Sequence, residues 1–213
     1  MKVNSDGPRY SERRSDKNRI EALTDGVFAT VMIVLVLNLT APLMATSTSS
    51  VGITSLLREL VPIIFVYLHS FFFLSIVWIG HHMFFNFIKR VDRSLILLNL
   101  LFLLFVGFIP FAAALHGRYF DQFSFLIYGF DIAAILIALT CIWRYSTNRH
   151  KLVDENLDGE TISRENRRLL TCSPFLIIAL AMSFVSVYLG HAILISIGLY
   201  LLLASPLDVY WSR

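Results

Sequence analysis

The chain has 213 residues, of which 56% are apolar and 15% are charged, and its mean hydropathy is +0.69. A soluble domain typically has about 45–50% apolar and about 25% charged residues. The excess of apolar residues comes in long runs, which excludes an ordinary soluble domain. The formal net charge is only +3, and the basic residues lie in short stretches beside the apolar runs, so nucleic acid is not an expected partner.

The apolar runs predict an all-α polytopic membrane protein with six transmembrane helices, because a crossing needs roughly 20 mostly apolar residues. The predicted spans cover residues 20–41, 56–88, 95–115, 122–144, 169–188 and 192–203. Residues 1–18 form a basic cytoplasmic tail, residues 19–204 the transmembrane domain and residues 205–213 a second cytoplasmic tail.

The distribution of lysine and arginine predicts the orientation. These residues cluster before the first span, between the second and third spans and around the connection between the fourth and fifth, whereas the opposite side holds only Arg58 and Arg118. Cytoplasmic loops carry the excess of basic residues. Both termini are therefore expected in the cytoplasm.

The first span carries two distinct faces. At 100° per residue, Thr30, Ile33 and Leu37 share one stripe, with Val34 at its edge, whereas Asp25 lies about 140° from Thr30. One interpretation is that the stripe lines a narrow pathway on a symmetry axis. The other is that Thr30 bonds a carbonyl of its own helix and the stripe is ordinary helix packing.

A carboxylate inside an apolar span needs a partner, since burying it unpaired is costly. The polar residues expected at a depth similar to that of Asp25 form a predicted network that ties the first span to the second and third: Arg19, Thr24, Asp25, Trp78, His81, His82 and Asn99. A structural role for this network is favoured over pH sensing by its histidines.

No catalytic motif of the GxSxG or HExxH type occurs, and no carboxylate pair is expected within the membrane, so we do not expect an enzyme. We expect neither a cofactor nor a bound metal. A bis-histidine haem needs two histidines at one depth. His81 and His82 are expected near the cytoplasm, whereas His116 and His191 are expected on the outer side.

Three motifs resemble the transmembrane protein 175 family of potassium channels. They are the first-helix signature of Arg19 with residues 23–29 and 35–37, the second-span segment Trp78-Ile79-Gly80-His81-His82, and the third-span residues Leu98-Asn99-Leu100 with Pro110-Phe111. The resemblance covers all six spans in order. The chain departs from the family signature at Leu23-Thr24, where Phe-Ser is usual.

The resemblance implies a homotetramer in a prokaryotic cell membrane, conducting potassium and other monovalent cations through a pore lined by the first helices. No TVGYG carbonyl filter is present. The family's pore rings fall on Thr30, on Ile33 with Val34, and on Leu37, which is the stripe found above. Thr30 stands where the family usually has a bulky aliphatic residue, and Ile33 where it often has threonine.

We therefore expect Ile33 and Leu37 to form a hydrophobic gate and Thr30 to contribute weak cation coordination. Two other functions remain open at this point. One is a secondary transporter or proton-coupled carrier that uses Asp25 and His81 or His82. The other is a membrane haem or redox protein.

Overall fold

The described part of the chain folds into six α-helices. The computed structural model describes residues 8–40, 53–154 and 157–203. The helices are α1 (Pro8–Leu37), α2 (Ile53–Phe87), α3 (Arg93–Tyr119), α4 (Gln122–Thr147), α5 (Gly159–Met182) and α6 (Val187–Leu203), with a short 3-10 turn at Asn148–His150. The prediction of an all-α membrane protein is confirmed at this level.

Four of these helices contain segments long and apolar enough to cross a membrane: Lys17–Leu37, Leu57–Phe87, Arg93–Tyr119 and Gln122–His150. Helix α6 is apolar but has only 17 residues, about 25 Å at 1.5 Å per residue. The first half of α5 is rich in charged residues. The count of six spans and the orientation of the termini therefore stay predictions.

Several helix boundaries differ from those of the predicted spans. Helix α1 already begins at Pro8, inside the predicted tail, and α5 begins at Gly159, capped by the Asp158 side chain. The break between α5 and α6 falls at residues 183–186, within the predicted fifth span. Apolar runs mark what can enter lipid, whereas a helix continues through polar residues until a cap ends it. Residues 1–7 and the predicted tail 205–213 lie outside the described residues.

Helices α3 and α4 form the centre of the bundle. Helix α1 packs on α3 and α2, while α5 packs on α4 and α6, and α6 also contacts α2. A tight connection joins α3 to α4: Phe120 adopts a left-handed conformation with φ 47°, and Asp121 caps α4 in a reciprocal capping box with Ser124.

The connections that carry basic residues lie at one end of the bundle. Ile88 and Val153 form an antiparallel bridge, and the Lys89 backbone N–H donates to the Leu152 carbonyl at 2.8 Å. At the opposite end, the Gln122 amide donates to the Ser183 hydroxyl at 3.0 Å. The basic connections before α3 and after α4 therefore meet at one end of the bundle, opposite the α3–α4 turn.

Asp92 stabilises the basic end. Its carboxylate caps α3 by accepting from the Leu95 N–H at 2.9 Å, accepts from the Tyr145 hydroxyl at 2.7 Å and pairs with Lys151 at 3.0 Å. Burial alone would raise the pKa of Asp92, but these bonds together hold it below its usual range. Conversely, bonding to Tyr145 and then Asp92 raises the pKa of Lys151.

Replacing Asp92 with alanine should lower the free energy of unfolding by about 1–2 kcal/mol, the usual cost of a lost cap. Because the carboxyl pKa is depressed, this contribution is present above about pH 4 and disappears as the pH falls further. Thermal unfolding of the purified protein between about pH 3 and pH 8 measures the difference between wild type and D92A. E160A, which removes one side of an exposed pair with Arg164, is the control and should cost less than about 0.5 kcal/mol. Equal losses in the two variants, or a D92A difference that grows at low pH, would contradict this assignment.

Candidate functional site

Helix α1 presents one face to the rest of the chain and the opposite face outward. The inward face is a stripe of buried residues: Ile20, Thr24, Phe28, Val31 and Leu35. Within the isolated chain, Ile33 is 66% exposed, Leu37 is 58% exposed, and Thr30 and Val34 are also exposed. At 100° per residue the centres of the two stripes are about 150° apart. The predicted stripe therefore faces away from the rest of the chain.

The hydroxyl of Thr30 donates to the Gly26 carbonyl one turn earlier, at 2.8 Å. The intrahelical bond considered for Thr30 is thus present. Since the hydrogen is committed to the helix, the lone pairs of the oxygen remain available on the exposed face. A threonine bonded in this way can still offer an acceptor to a cation.

Asp25 is held by α2. The Trp78 indole N–H donates to the Asp25 carboxylate at 2.8 Å, and the His82 ring stacks on Trp78 with centroids 5.6 Å apart. An indole nitrogen is only a donor, so it suits a carboxylate. This contact links the middle of α1 to the second half of α2.

Asn99 joins three helices. Its amide nitrogen donates to the Thr24 hydroxyl at 3.1 Å, and its amide oxygen lies 2.8 Å from His81 Nε2. His81 therefore donates through Nε2 to the amide oxygen, while its ring stacks between Phe85 and Phe102, at 4.3 and 5.2 Å. His81, Asn99 and Thr24 are almost fully buried.

Of the seven predicted network residues, Arg19 is the one that the structure leaves apart. Its side chain is exposed and forms no hydrogen bond or ion pair with the other six within the described part of the chain. A second tie between α1 and α3 was not predicted: the Asn38 amide donates to the Pro110 carbonyl at 2.9 Å. The available signal was an amide near the end of the first predicted span, but the sequence alone does not identify its partner.

The structure also brings together three histidines that the sequence left separate. His116 Nε2 lies 2.8 Å from His191 Nε2, and His191 Nδ1 lies 3.2 Å from His69 Nδ1. A spacing of 2.8 Å is that of a hydrogen bond and leaves no room for an iron between the rings. Among the described residues, no group of histidine, cysteine, aspartate or glutamate is arranged to hold a metal ion.

Asp131 is a further buried acid, and it was not among the predicted site residues. It lies in α4, is 2% exposed, and neither carboxylate oxygen has a hydrogen-bond partner among the described residues. The signal that could have identified it was a single acidic residue within an apolar span.

These features define a helical membrane protein whose first helix is fixed by polar contacts on one side and free on the other. The sequence model of the endosomal/lysosomal potassium channel TMEM175 matches residues 19–110. The chain belongs to the TMEM175 family, and it is an ion channel rather than an enzyme.

Individual relatives extend the match over most of the chain. A potassium channel of Chamaesiphon minutus is 29% identical over 90% of this chain and 96% of its own length. A potassium channel of Streptomyces collinus is 31% identical over 68% of this chain and 71% of its own length. The human endosomal/lysosomal proton channel TMEM175 is 34% identical over 45% of this chain and 20% of its own.

The fold also matches a solved structure. The crystal structure of a lysosomal potassium-selective channel TMEM175 homolog from Chamaesiphon minutus aligns with a TM-score of 0.76 at 29% identity. The alignment covers 90% of this chain and 99% of that one. The arrangement of the helices is therefore that of a known channel fold.

N99A should destabilise the protein strongly, because it leaves the His81 N–H and the Thr24 oxygen unsatisfied at about 1–3 kcal/mol each. R19Q should change the free energy of unfolding by less than about 0.5 kcal/mol, as at other exposed positions. Thermal unfolding of the purified variants compares the two. A loss in R19Q as large as that in N99A would show that the arginine belongs to the network after all.

Proposed function

We propose that the protein is a potassium-preferring cation channel whose pore is lined by α1 from each of four subunits. The observation that carries the proposal is the exposed stripe of Thr30, Ile33, Val34 and Leu37 on a helix fixed to its subunit by the opposite face. Support comes from relatives named as potassium channels, two of which cover 68% or more of the chain.

The constriction consists of side chains rather than backbone carbonyls. Four copies of Ile33 and four of Leu37 around one axis would form apolar rings, which close a pore by excluding water. Thr30 lies one turn before Ile33 and contributes four oxygens that replace part of the hydration shell of an ion. The pore stripe holds no acidic residue, so selectivity rests on these dipoles and on the width of the rings.

Asp25, Trp78, His81, His82 and Asn99 act as positioning residues in this proposal. They bond or stack with one another or with Thr24, away from the stripe. This arrangement supports the structural role over a carrier in which Asp25 and the histidines bind a substrate. The protein would lie in the plasma membrane of a prokaryotic cell, with both termini and the basic connections in the cytoplasm.

Ion flux through the purified protein in liposomes tests the proposal. L37A should raise the resting potassium flux at least about tenfold, because a smaller apolar ring lowers the cost of wetting by more than about 1.4 kcal/mol. V36A is the matched control: Val36 is adjacent and 43% exposed, but it lies about 90° from the stripe. Equal effects of L37A and V36A would refute a pore lined by this stripe.

T30A should reduce the preference for potassium over sodium by about 2–10-fold, the equivalent of one lost hydrogen bond of about 0.5–1.5 kcal/mol. Single-channel recordings with sodium and potassium on opposite sides of the membrane measure the ratio. T40A serves as the control, since the Thr40 hydroxyl also bonds a carbonyl of α1 but lies beyond the end of the helix. An unchanged preference for potassium over sodium in T30A would show that Thr30 takes no part in selectivity.

A further inference from the structure

The three clustered histidines belong to one hydrogen-bonded chain at the bundle end where α3 turns into α4. The imidazole-to-imidazole contacts join His69 on α2, His191 on α6 and His116 on α3, all of them 9% exposed or less. At one end, His116 Nδ1 lies 2.8 Å from the Ser124 hydroxyl, which donates to the Asp121 carboxylate at 2.7 Å. At the other end, His69 Nδ1 lies 3.2 Å from the Tyr128 hydroxyl.

Two glycines allow the helices to approach this closely. A Cβ at Gly117 would lie 3.1 Å from the Ile63 Cα, and a Cβ at Gly190 would lie 2.5 Å from the Phe125 ring. Each glycine directly precedes or follows a histidine of the chain. The ring of Phe120, whose backbone is left-handed, stacks on His116 at 5.1 Å and on His191 at 5.7 Å. The hydrogen-bonded chain of histidines is thus a packed element of the fold rather than a chance contact.

Asp121 fixes the direction of the hydrogen bonds. Bonds from the Ser124 hydroxyl and its backbone N–H hold the pKa of Asp121 below its usual range, so the carboxylate is ionised and takes the Ser124 hydrogen. Ser124 can then only accept from His116, which must carry its hydrogen on Nδ1.

The positions of the remaining hydrogens follow from the hydrogen on His116 Nδ1. With His116 Nε2 bare, His191 must donate to it through Nε2, and His69 must donate through Nδ1 to the bare His191 Nδ1. On the far side the Ser70 hydroxyl donates to the Val66 carbonyl at 2.8 Å and so accepts from Tyr128. Tyr128 can therefore accept from His69 as well. Every histidine is neutral, and every hydrogen meets a lone pair.

His69 Nε2 is the one ring nitrogen of the six that forms no hydrogen bond with the described residues. The other groups facing the chain are few: the carboxyl of Asp131 one turn from Tyr128 on α4, and the uncharged Ser183 at the end of α5 beside Gly190. The hydrogen-bonded chain of histidines thus has an ionisable end, Asp121, at the surface. Its other end, His69 Nε2, lies inside the bundle without a hydrogen bond to the described residues.

We propose that Asp121, Ser124, His116, His191 and His69 form a proton relay between the α3–α4 turn and the interior of α2. A proton that reaches the bare His69 Nε2 releases the His69 Nδ1 hydrogen to His191 Nδ1, and His191 passes its Nε2 hydrogen to His116 Nε2. His116 then passes its Nδ1 hydrogen to the Ser124 oxygen, whose own hydrogen moves to the Asp121 carboxylate. The net result is one added proton, taken up at His69 Nε2 and appearing on the Asp121 carboxyl, with every histidine again neutral and in its other tautomer.

Histidine tautomers report the relay directly, independently of any ion current. Nitrogen-15 NMR of the purified full-length protein with labelled histidine distinguishes Nδ1–H from Nε2–H. Near neutral pH we expect Nδ1–H on His116 and His69 and Nε2–H on His191. On acidification all three should change tautomer with one shared midpoint, because the sites are coupled.

Two variants separate a relay from three independent histidines. S124A should shift the shared midpoint by more than about one pH unit, whereas T140V, which removes a hydroxyl bonded only to its own helix on α4, should leave it unchanged. H191N should leave His116 responsive to acid while His69 no longer follows it. Unrelated midpoints in the wild type, an Nε2–H tautomer on His116 near neutral pH, or identical titrations of S124A and wild type would each overturn the relay.

Discussion

Helix α1 is bonded to α3 at two levels, through Thr24 with Asn99 and through Asn38 with the Pro110 carbonyl. The two contacts are 14 residues apart along α1, about 21 Å, and buried apolar side chains fill the interval. In lipid the hydrophobic effect does not drive helices together, so such bonds and close packing decide their relative positions. With α1 held at both levels, its rotation about its own axis is fixed, and so is the face it turns outward.

Polar side chains occupy the two ends of the bundle, and apolar packing separates them. Near the basic connections, His81 and Asn99 tie α2 and α3 to α1. Near the α3–α4 turn, His69, His116 and His191 tie α2, α3 and α6. Helix α2 takes part at both ends, through His81 and through His69, so it links the two polar clusters. The outward stripe of α1, residues 30–37, lies between the levels of Thr24 and Asn38 and so spans the interval between these two ends.

Helical periodicity was sufficient to predict which residues of α1 share a face, because one helix's geometry fixes its own stripes. The expected depth of each residue in the membrane was sufficient to predict that Asp25, Trp78, His81 and Asn99 lie close together. Neither argument gives the rotation of one helix against another, which is why Arg19 was included in the network and Asn38 with Pro110 was missed. The pairing of His116 with His191 depends on the close approach at two glycines, which only the packed fold reveals.

Gly190 and His191 constrain each other as the sequence changes over generations. Any side chain at position 190 would press on the Phe125 ring and push the start of α6 outward. His191 would then lie too far from His116 to bond, and the buried imidazoles would lose their shared hydrogens. A lineage that accepts alanine at 190 would therefore come under pressure to replace the histidines with apolar residues, so the glycine and the histidines should be gained or lost as a set.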